Sequence, residues 1–439
     1  MAQILELDKV KDTAMDLAKS IHFSKLCNFI EYRERIVVLK TLRFSPIYFL
    51  NNFYNERYIY KGVNFMNAKK LIAVGLPMIA VTYGLSRFSY GLMLPYINET
   101  MNMDQSTSGL ISSLSYIAYC IAIIFAMACS NKFTPRSILV VAGLSSIIGL
   151  GIISISPNSV VLGLGIFLAG LSTGLSSPPY ANIVSTKVET RLQNQANSWI
   201  NSGTSIGTAF TGAIAILMAN SWRETYLIFM VIAIFVLVVN YKVLPKQQAS
   251  EKKVMVGFSK KEWRHSIQLI IASLLIGISC SAYWTFSRDF MLNLDNVPTH
   301  LREWFWVIIG LAGLLGGTAG AFIDKFGLMS AYRISVLALS TTSLILGIFP
   351  DNNITWFLSP VLFGSSYIFM TGVLIVWGIS VFKTNPSFGL GVPFLILALG
   401  QAIGTIFSGV VADISGYYTL FIGASIIGYV TLVFKPKTN

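Results

Sequence analysis

The sequence predicts an all-α integral membrane protein in which twelve transmembrane helices form two pseudo-symmetric six-helix bundles. Three observations support this prediction: a composition with few charges, twelve apolar stretches of spanning length, and a glycine pattern that occurs in both halves. Hydrophobic residues make up 54% of the 439-residue chain and charged residues only 12%. A soluble domain carries about 25% charged residues, so much of this chain is expected to face lipid.

Twelve apolar stretches are each long enough to cross a bilayer, whose hydrocarbon core of about 30 Å needs roughly 20 helical residues. None shows the apolar–polar alternation of a barrel strand, so all are predicted to be helices. The predicted spans are 71–97, 106–129, 137–156, 159–181, 198–219, 225–243, 266–289, 303–323, 331–349, 355–382, 389–411 and 417–434.

The distribution of lysine and arginine predicts how the helices are oriented. If the residues just before the first span are cytoplasmic, the segments on that side hold eighteen Lys and Arg, against three on the other side. Positively charged loops remain in the cytoplasm. Both ends of the membrane domain are therefore expected there, in the cell membrane. The net charge of +13 is then a topology signal, and nucleic acid is not an expected partner.

The two halves of the chain repeat one glycine pattern. Residues 203–215 read GTSIGTAFTGAIA, and residues 400–412 read GQAIGTIFSGVVA. Parallel repeats of this kind are a transporter architecture with a binding site between the halves. We expect one bundle over 66–243, a cytoplasmic linker over 244–265 and a second bundle over 266–439. Six glycines are expected to pack the fifth and eleventh helices closely against the opposite half: Gly203, Gly207, Gly212, Gly400, Gly404 and Gly409.

Three stretches resemble motifs of a known family. Residues 320–327, GAFIDKFG, resemble the G-x-x-x-D-[RK]-x-G loop of the major facilitator superfamily, and residues 131–136, NKFTPR, form a degenerate counterpart in the first half. The stretch GLSRFSYGLMLP at 84–95 is similar to the first-helix pattern G-x-x-RF-x-Y-x-x-x-LP of the YbfB/YjiJ family. The resemblance covers about residues 66–439, and it implies the major facilitator fold and transport by alternating access.

The resemblance also implies a cytoplasmic gate. Asp324 and neighbouring basic residues would hold the cytoplasmic helix ends together while the binding site faces outward. The alternative is a static ion pair, and exposed pairs of this kind contribute only about 0–1 kcal/mol. The candidate gate residues are Asn131, Lys132, Arg136, Gly320, Asp324, Lys325, Gly327 and Arg333.

Arg87 is an arginine inside the first predicted span. An arginine at this depth costs at least about 2.5–3.5 kcal/mol unless it meets water, a partner or a ligand. Tyr83, Arg87 and Tyr90 lie at i, i+4 and i+7, on one face of a helix. This stripe suits a ligand with a carboxylate or phosphate and an apolar body. Snorkelling to the outer headgroups, pairing with an acid or packing between rings are the alternatives.

Further candidates lie on other predicted spans. Tyr283 and Trp284 of the seventh span lie at the level of Arg87, and Gln401 replaces the threonine of the repeat. Tyr180 follows two prolines that predict a kink. These four are candidate solute-binding residues beside the Arg87 stripe. Arg288, Asp289 and Glu303 are candidates for coupling or charge pairing: Arg288 could pair with Asp289, or Asp289 could neutralise Arg87.

Residues 1–65 do not fit the rest of the chain. They hold ten Lys and Arg and seven Asp and Glu, with no stretch of spanning length. One hypothesis is a cytoplasmic extension on the anionic lipid surface. The other, slightly favoured, is that translation starts at Met66, so that this segment is absent from the native protein.

These observations together predict a secondary active or facilitative transporter of a small organic solute, with an organic anion favoured by Arg87. Export of amphipathic compounds and a non-transporting receptor with a transporter fold are the alternatives. We expect no enzyme, because no nucleophile–base pair or metal motif occurs, and we expect no cofactor or metal. The expected partners are the solute and the lipid bilayer, and the protein is expected to be a monomer.

Overall fold

The computed structural model describes residues 66–129, 132–218, 221–245, 260–382 and 386–436. Within these ranges every regular element is a helix. The predictions for residues 1–65, for Asn131 and for most of the cytoplasmic linker lie outside the described residues. The seventh helix begins at Lys260, earlier than the predicted start at 266.

Eleven helices of the described ranges are long and apolar enough to span a membrane, and the last of them divides at Gly416 into two. These account for the twelve predicted spans and confirm the all-α membrane fold. Several are longer than predicted, because polar residues extend the helices beyond the apolar stretch. The helices are α1 (Ala68–Met101), α2 (Gln105–Cys129), α3 (Pro135–Ser154), α4 (Ser159–Lys187), α5 (Thr190–Leu217), α6 (Trp222–Val243), α7 (Lys260–Leu292), α8 (Thr299–Phe326), α9 (Leu328–Ile348), α10 (Asn353–Val381), α11 (386–415) and α12 (417–430).

The last two helices are continuous along the chain except at one glycine. The element Pro386–Val430 has 45 residues, and it is interrupted at Gly416, whose φ of 76° and ψ of 171° are not helical. A straight helix of this length would be roughly twice as long as the bilayer is thick. Glycine reaches positive φ without a steric penalty, so Gly416 allows the chain to turn from α11 into α12.

Helix α1 is the least regular of the spans. It is α-helical over Ala68–Ile79, π-helical over Ala80–Phe88 and α-helical again over Ser89–Met101. Pro77 lies just before the π-helical segment and cannot donate a backbone hydrogen bond. π-helical turns are rare and often lie at functional sites. Arg87 is in this segment, so the sequence stretch with an unexplained charge is also the one with unusual backbone geometry.

The glycine repeat has a packing role that differs in part from the prediction. A Cβ on Gly203 or Gly207 would collide with the backbone of α1, in the same half of the protein. In the second half, Gly400 and Gly404 pack in the same way against α7. The prediction that these four contact the opposite half is therefore wrong. Each half uses them to bring its fifth helix onto its own first helix.

The third glycine of each repeat does cross between the halves, as predicted. Gly212 of α5 packs against Val307 of α8, and Gly409 of α11 packs against Gln105 of α2. Gly109 of α2 adds a second close contact with α11. These contacts lie near the predicted outer ends of the helices, so the two halves meet there.

Candidate functional site

Arg87 projects from the π-helical segment of α1 into the space between the two halves. Its side chain is only 7% exposed. The Nη2 atom donates a hydrogen bond to the Gln401 side-chain oxygen of α11, at 3.0 Å. The guanidinium carbon lies 4.6 Å from the ring centres of both Tyr116 and Tyr119 on α2, and 5.5 Å from that of Phe88. Arg87 therefore contacts α2 within its own half and α11 across the interface.

The charge of Arg87 is not neutralised in the structure. Its Nε atom is buried without a hydrogen-bond partner. Throughout the described part of the chain, the single ion pair within 4 Å is that of Arg191 with Glu189 at the surface. The alternatives of pairing with Asp289 and of snorkelling to the outer headgroups are therefore not what the structure shows. Cation–π contacts of about 0.5–2 kcal/mol each and one amide hydrogen bond hold the guanidinium instead.

Two hydrogen bonds orient the Gln401 side-chain amide that contacts Arg87. Gln401 is 1% exposed, and its side-chain nitrogen donates to the Tyr367 hydroxyl at 3.2 Å and to the Cys280 sulfur at 3.5 Å. Because the amide nitrogen is used in this way, the amide oxygen is left to face Arg87. The structure therefore places the predicted candidates Arg87 and Gln401 together.

The space beside Arg87 is small in this conformation. A cavity of about 10 Å³ is lined by Arg87, Tyr90, Trp284 and side chains of α2 and α7. This volume is near the minimum that holds one water molecule, so no organic solute fits without movement of the surrounding helices. The site is therefore closed around Arg87.

The two tyrosines of the predicted stripe take different positions. Tyr90 lines the cavity with Arg87, and its hydroxyl donates to the Ser108 carbonyl at 3.2 Å. The Tyr83 hydroxyl is within 2.9 Å of that of Ser177 on α4, and its ring packs beside a cluster that includes Tyr119. The π-helical turns change the angular spacing that the prediction assumed, and Tyr90 is the tyrosine of the stripe that lines the cavity with Arg87.

Trp284 lies between the halves. Its ring stacks on Phe88 of α1 with centres 4.0 Å apart and meets Trp306 of α8 edge-on at 5.8 Å. Its indole Nε1 is buried without a hydrogen-bond partner. The main-chain oxygen of Trp284 abuts Gly91 of α1, where a Cβ would not fit. This close approach brings α1 and α7 together at the level of the site.

Two candidate solute-binding residues, Tyr180 and Tyr283, contact packing partners of their own half in this conformation. The Tyr180 hydroxyl donates to the Asn240 side-chain oxygen, and the Asn240 amide donates to the Val74 carbonyl at 3.1 Å. Tyr283 stacks on Phe363 at 3.8 Å, and its hydroxyl is within 2.7 Å of that of Ser359. Both tyrosines face the interior of their own half. Their positions along the helices match the depth of the cavity, but their side chains lie on helix faces that point away from it.

The predicted pairing of Arg288 with Asp289 does not occur. Arg288 donates to the Tyr96 hydroxyl of α1 at 3.2 Å, whereas Asp289 accepts a hydrogen bond from the Tyr417 hydroxyl of α12. Adjacent residues on a helix point in directions about 100° apart, which explains the separation. Glu303 acts electrostatically on Arg288 but lies beyond ion-pair distance.

The predicted gate residues are not engaged with one another. Asp324, Lys325 and Arg333 are exposed, and within the described ranges none forms an ion pair within 4 Å. Arg136 donates to the Tyr241 carbonyl of α6, in its own half. The remaining described gate residues are also at the surface: Lys132, Gly320 and Gly327. A Cβ added to Gly320 would meet no atom within 4 Å, and Gly327 has a φ of 82°.

Sequence reasoning missed the aromatic partners of Arg87. Tyr116 and Tyr119 lie at i and i+3 on α2, and Tyr367 on α10 orders Gln401. The spacing of the α2 tyrosines places them on one helix face, which was a usable signal. Which face of α2 meets α1 is decided by packing between helices, however, and the sequence pattern does not specify it.

The described residues contain no group of three or more His, Cys, Asp or Glu that could hold a metal ion. The polar atoms near Arg87 are hydroxyls, amides and indole nitrogens. This arrangement can bind and orient an acceptor-rich ligand by charge and hydrogen bonds.

Comparison with known proteins gives consistent results. The family model described as Major Facilitator Superfamily matches residues 78–392. The chain is 21% identical over 288 residues to the hexuronate transporter of Bacillus subtilis (strain 168), covering 62% of this chain and 68% of that one. It is 23% identical over 197 residues to the gentisate transporter of Corynebacterium glutamicum, covering 43% and 44% of the two chains.

A solved structure of the nucleoside transporter NupG superposes with a TM-score of 0.66 at 13% identity, over 84% of this chain and 99% of that one. At this identity the likeness concerns the fold alone. The family match extends over well over half of the chain, and the relatives are named as transporters. The chain therefore belongs to the Major Facilitator Superfamily, whose members carry small solutes across membranes and are not enzymes.

Proposed function

We propose that this protein carries a small organic anion across the cytoplasmic membrane by alternating access, with Arg87 as the residue that binds the anionic group. The proposal includes an orientation with both ends of the membrane domain in the cytoplasm, and a place near the YbfB/YjiJ group within the superfamily. The 66–243 and 266–439 regions are the two moving halves. The observation on which it rests is the buried, unneutralised charge of Arg87.

The energetics of Arg87 favour an anionic ligand. A cation buried in a membrane protein without a neutralising partner costs several kcal/mol, and proteins keep such residues mainly where function needs them. Tyr116 and Tyr119 shield the guanidinium from lipid but supply no negative charge. A carboxylate would add both the missing charge and an acceptor for the unpaired Nε. Charge-assisted hydrogen bonds contribute about 1.5–3 kcal/mol each.

The names of two relatives fit this ligand class. Hexuronate and gentisate are both carboxylates, and each relative is named for transport of one of them. The aromatic rings around Arg87 suit the apolar body of such a solute. A cationic drug is disfavoured, because the buried charge has the same sign.

The contacts between the halves support alternating access. At the predicted outer end, the Asp413 carboxylate of α11 accepts hydrogen bonds from the backbone nitrogens of Gln105 and Ser106 on α2, at 3.0 and 2.7 Å. At the predicted cytoplasmic end, Asp324 has no ion-pair partner in the described ranges. A cycle that closes one end while releasing the other is consistent with this asymmetry.

Binding of matched neutral and acidic compounds tests the proposal. The full chain is purified, and its melting temperature is measured with D-glucuronate against D-glucose and with gentisate against gentisamide. A ligand at 100 times its Kd stabilises the folded state by about 2.7 kcal/mol. We expect stabilisation by an acid and not by its neutral partner, followed by uptake of that acid into proteoliposomes.

Arg87→Gln is the test variant, and Arg191→Gln is its matched control, because Arg191 forms only an exposed ion pair. We expect Arg87→Gln to weaken binding of the acid at least about tenfold and the control to bind like wild type. Equal binding by Arg87→Gln and wild type would make Arg87 a structural residue. Stabilisation by neutral amphipathic compounds only would instead support the export alternative.

A further inference from the structure

Arg288 of α7 is a second buried arginine without a neutralising partner. It is 4% exposed, and its Nε and Nη1 atoms are buried with no hydrogen-bond partner. Its contacts are with Tyr96 of α1: Nη2 donates to the hydroxyl at 3.2 Å, and the guanidinium carbon is 5.7 Å from the ring centre. No carboxylate of the described chain lies within 4 Å of it. A hydroxyl group accepts one hydrogen bond but leaves the charge in place.

Arg288 lies on the predicted outer side of Arg87, with Trp284 between them. Trp284 is level with Gly91, because its main-chain oxygen abuts that glycine. Arg87 precedes Gly91 by four residues on α1, and Arg288 follows Trp284 by four residues on α7. Both helices run in the same direction, and each residue adds 1.5 Å of rise. The backbones of the two arginines are therefore about 12 Å apart along the bundle.

Aromatic rings close the space between the two arginine levels. Trp284 stacks on Phe88 and meets Trp306 edge-on, so rings from α1, α7 and α8 lie in contact. The small cavity beside Arg87 ends against Trp284. A solute that moves between the levels must displace these rings. The contact therefore acts as a barrier between two positively charged levels.

The unpaired polar atoms at this barrier are all able to donate. They are the indole nitrogens of Trp284 and Trp306 and two nitrogens of Arg288. Buried donors without acceptors are costly, and a carboxylate supplies four acceptor positions. This excess of donors indicates a ligand that brings hydrogen-bond acceptors. The excess lies on the predicted outer side of Arg87.

We propose that Arg288 is a second anion-binding residue, which receives the solute on the outer side of Trp284 before the solute reaches Arg87. This inference rests on the proposed function. When the outer ends of the halves separate, Tyr96 on α1 moves away from α7 and exposes the guanidinium to the anion. Glu303 of α8 lies beyond ion-pair distance from Arg288, so it does not occupy the guanidinium.

Uptake kinetics in intact bacterial cells test this role, because only the outer face then meets the probe. The probes are D-glucuronate and gentisate, and the variants of the full chain are Arg288→Gln, Arg288→Lys, Tyr96→Phe and the surface control Arg191→Gln. We expect Arg288→Gln to raise the outside KM about tenfold with a smaller change in kcat. Tyr96→Phe removes the hydrogen bond but retains the charge, so it should lower KM.

The Tyr96 variant and the two Arg288 variants together distinguish a binding role of Arg288 from a structural one. If Arg288 only clamps α7 to α1 through Tyr96, Arg288→Gln and Tyr96→Phe will change KM in the same direction, and the proposal is overturned. Arg288→Lys keeps the charge but not the planar guanidinium, so we expect its KM to lie between those of wild type and Arg288→Gln. If Arg288→Gln does not reach the membrane, Tyr96→Phe still decides, because a lower KM supports the anion site and a higher KM supports the clamp.

Failure of this inference differs from failure of the proposed function. If wild-type cells take up neither acid, anion transport fails and the second site fails with it. If uptake depends on Arg87 while Arg288→Gln keeps the wild-type KM, only the second site is wrong.

Discussion

The carboxylate of Asp413 is expected to hold the predicted outer ends of the two halves together. It accepts hydrogen bonds from the backbone nitrogens of Gln105 and Ser106 and from the Ser106 hydroxyl, so a residue of α11 caps the first turn of α2. Loss of a helix cap costs about 1 kcal/mol, and a negative charge at a helix N-terminus contributes about 0.3–1 kcal/mol. Asp413→Ala should therefore destabilise the closed outer end by about 1–2 kcal/mol.

A change of this size is measurable as a shift in population. It alters the ratio of closed to open outer ends about 5- to 30-fold. Spin labels at the exposed positions Glu99 on α1 and Ile414 on α11 report this by double electron–electron resonance, with the native cysteines replaced. We expect Asp413→Ala to add a longer-distance population that is minor in the wild type.

Asp104→Ala is the matched control for this measurement. Asp104 caps the same helix end by accepting the Thr107 backbone N–H at 2.7 Å, but it belongs to the same half as α2. Its loss should weaken open and closed conformations equally. An unchanged distance distribution in Asp413→Ala, or an equal change in Asp104→Ala, would refute the reasoning.

Three further predictions concern stability. Gly84→Ala places a Cβ against the α5 backbone and should lower the free energy of unfolding by about 1–3 kcal/mol. Gly317→Ala is its control, because an added Cβ there meets no atom within 4 Å, and its melting temperature should equal that of wild type. Tyr180→Phe should lower stability by about 1–3 kcal/mol without changing the KM of the solute, since its hydroxyl serves packing inside one half. Hydrogen bonds from Thr107 hold the pKa of Asp104 below its usual value, so its stabilisation is present above about pH 4 and is lost as pH falls through the lower native pKa. The free energies of unfolding of wild type and Asp104→Ala should therefore differ more at pH 7 than at pH 3.

The membrane fold followed from the sequence because spanning a bilayer imposes a length and a composition on each helix. The twelve spans were predicted within a few residues at most ends, and larger differences arise where polar turns extend a helix, as at Lys260. The kink at Gly416 was predicted only as a loop between two spans. Its positive φ depends on backbone geometry that the apolar pattern does not contain.

The candidate site was predicted only in part. The sequence indicates how deep in the membrane a residue lies, but it does not indicate which neighbouring helix its side chain faces. Arg87, Trp284 and Gln401 were recognised by charge, size and a departure from the repeat, and these features are visible in the sequence. Tyr180 lies at a suitable level, but its side chain is on a helix face that points into its own half. Tyr116 lies on the face of α2 that meets Arg87, and the sequence pattern did not identify that face. The π-helical turns of α1 rotate residues relative to an α-helix, and no pattern in residues 80–88 predicted them.

The glycine contacts between the halves have a consequence for the entropy of the proposed cycle. Gly109 meets Gly409, and Gly310 of α8 meets Ala209 of α5, so backbone lies directly against backbone at both crossings. Glycine and alanine have no rotamers to lose when they are buried. Closing and reopening these crossings therefore requires no side-chain ordering, and the free energy that favours the closed state can come from a few polar contacts such as that of Asp413. A transporter built in this way can open and close these two crossings without reordering side chains at them.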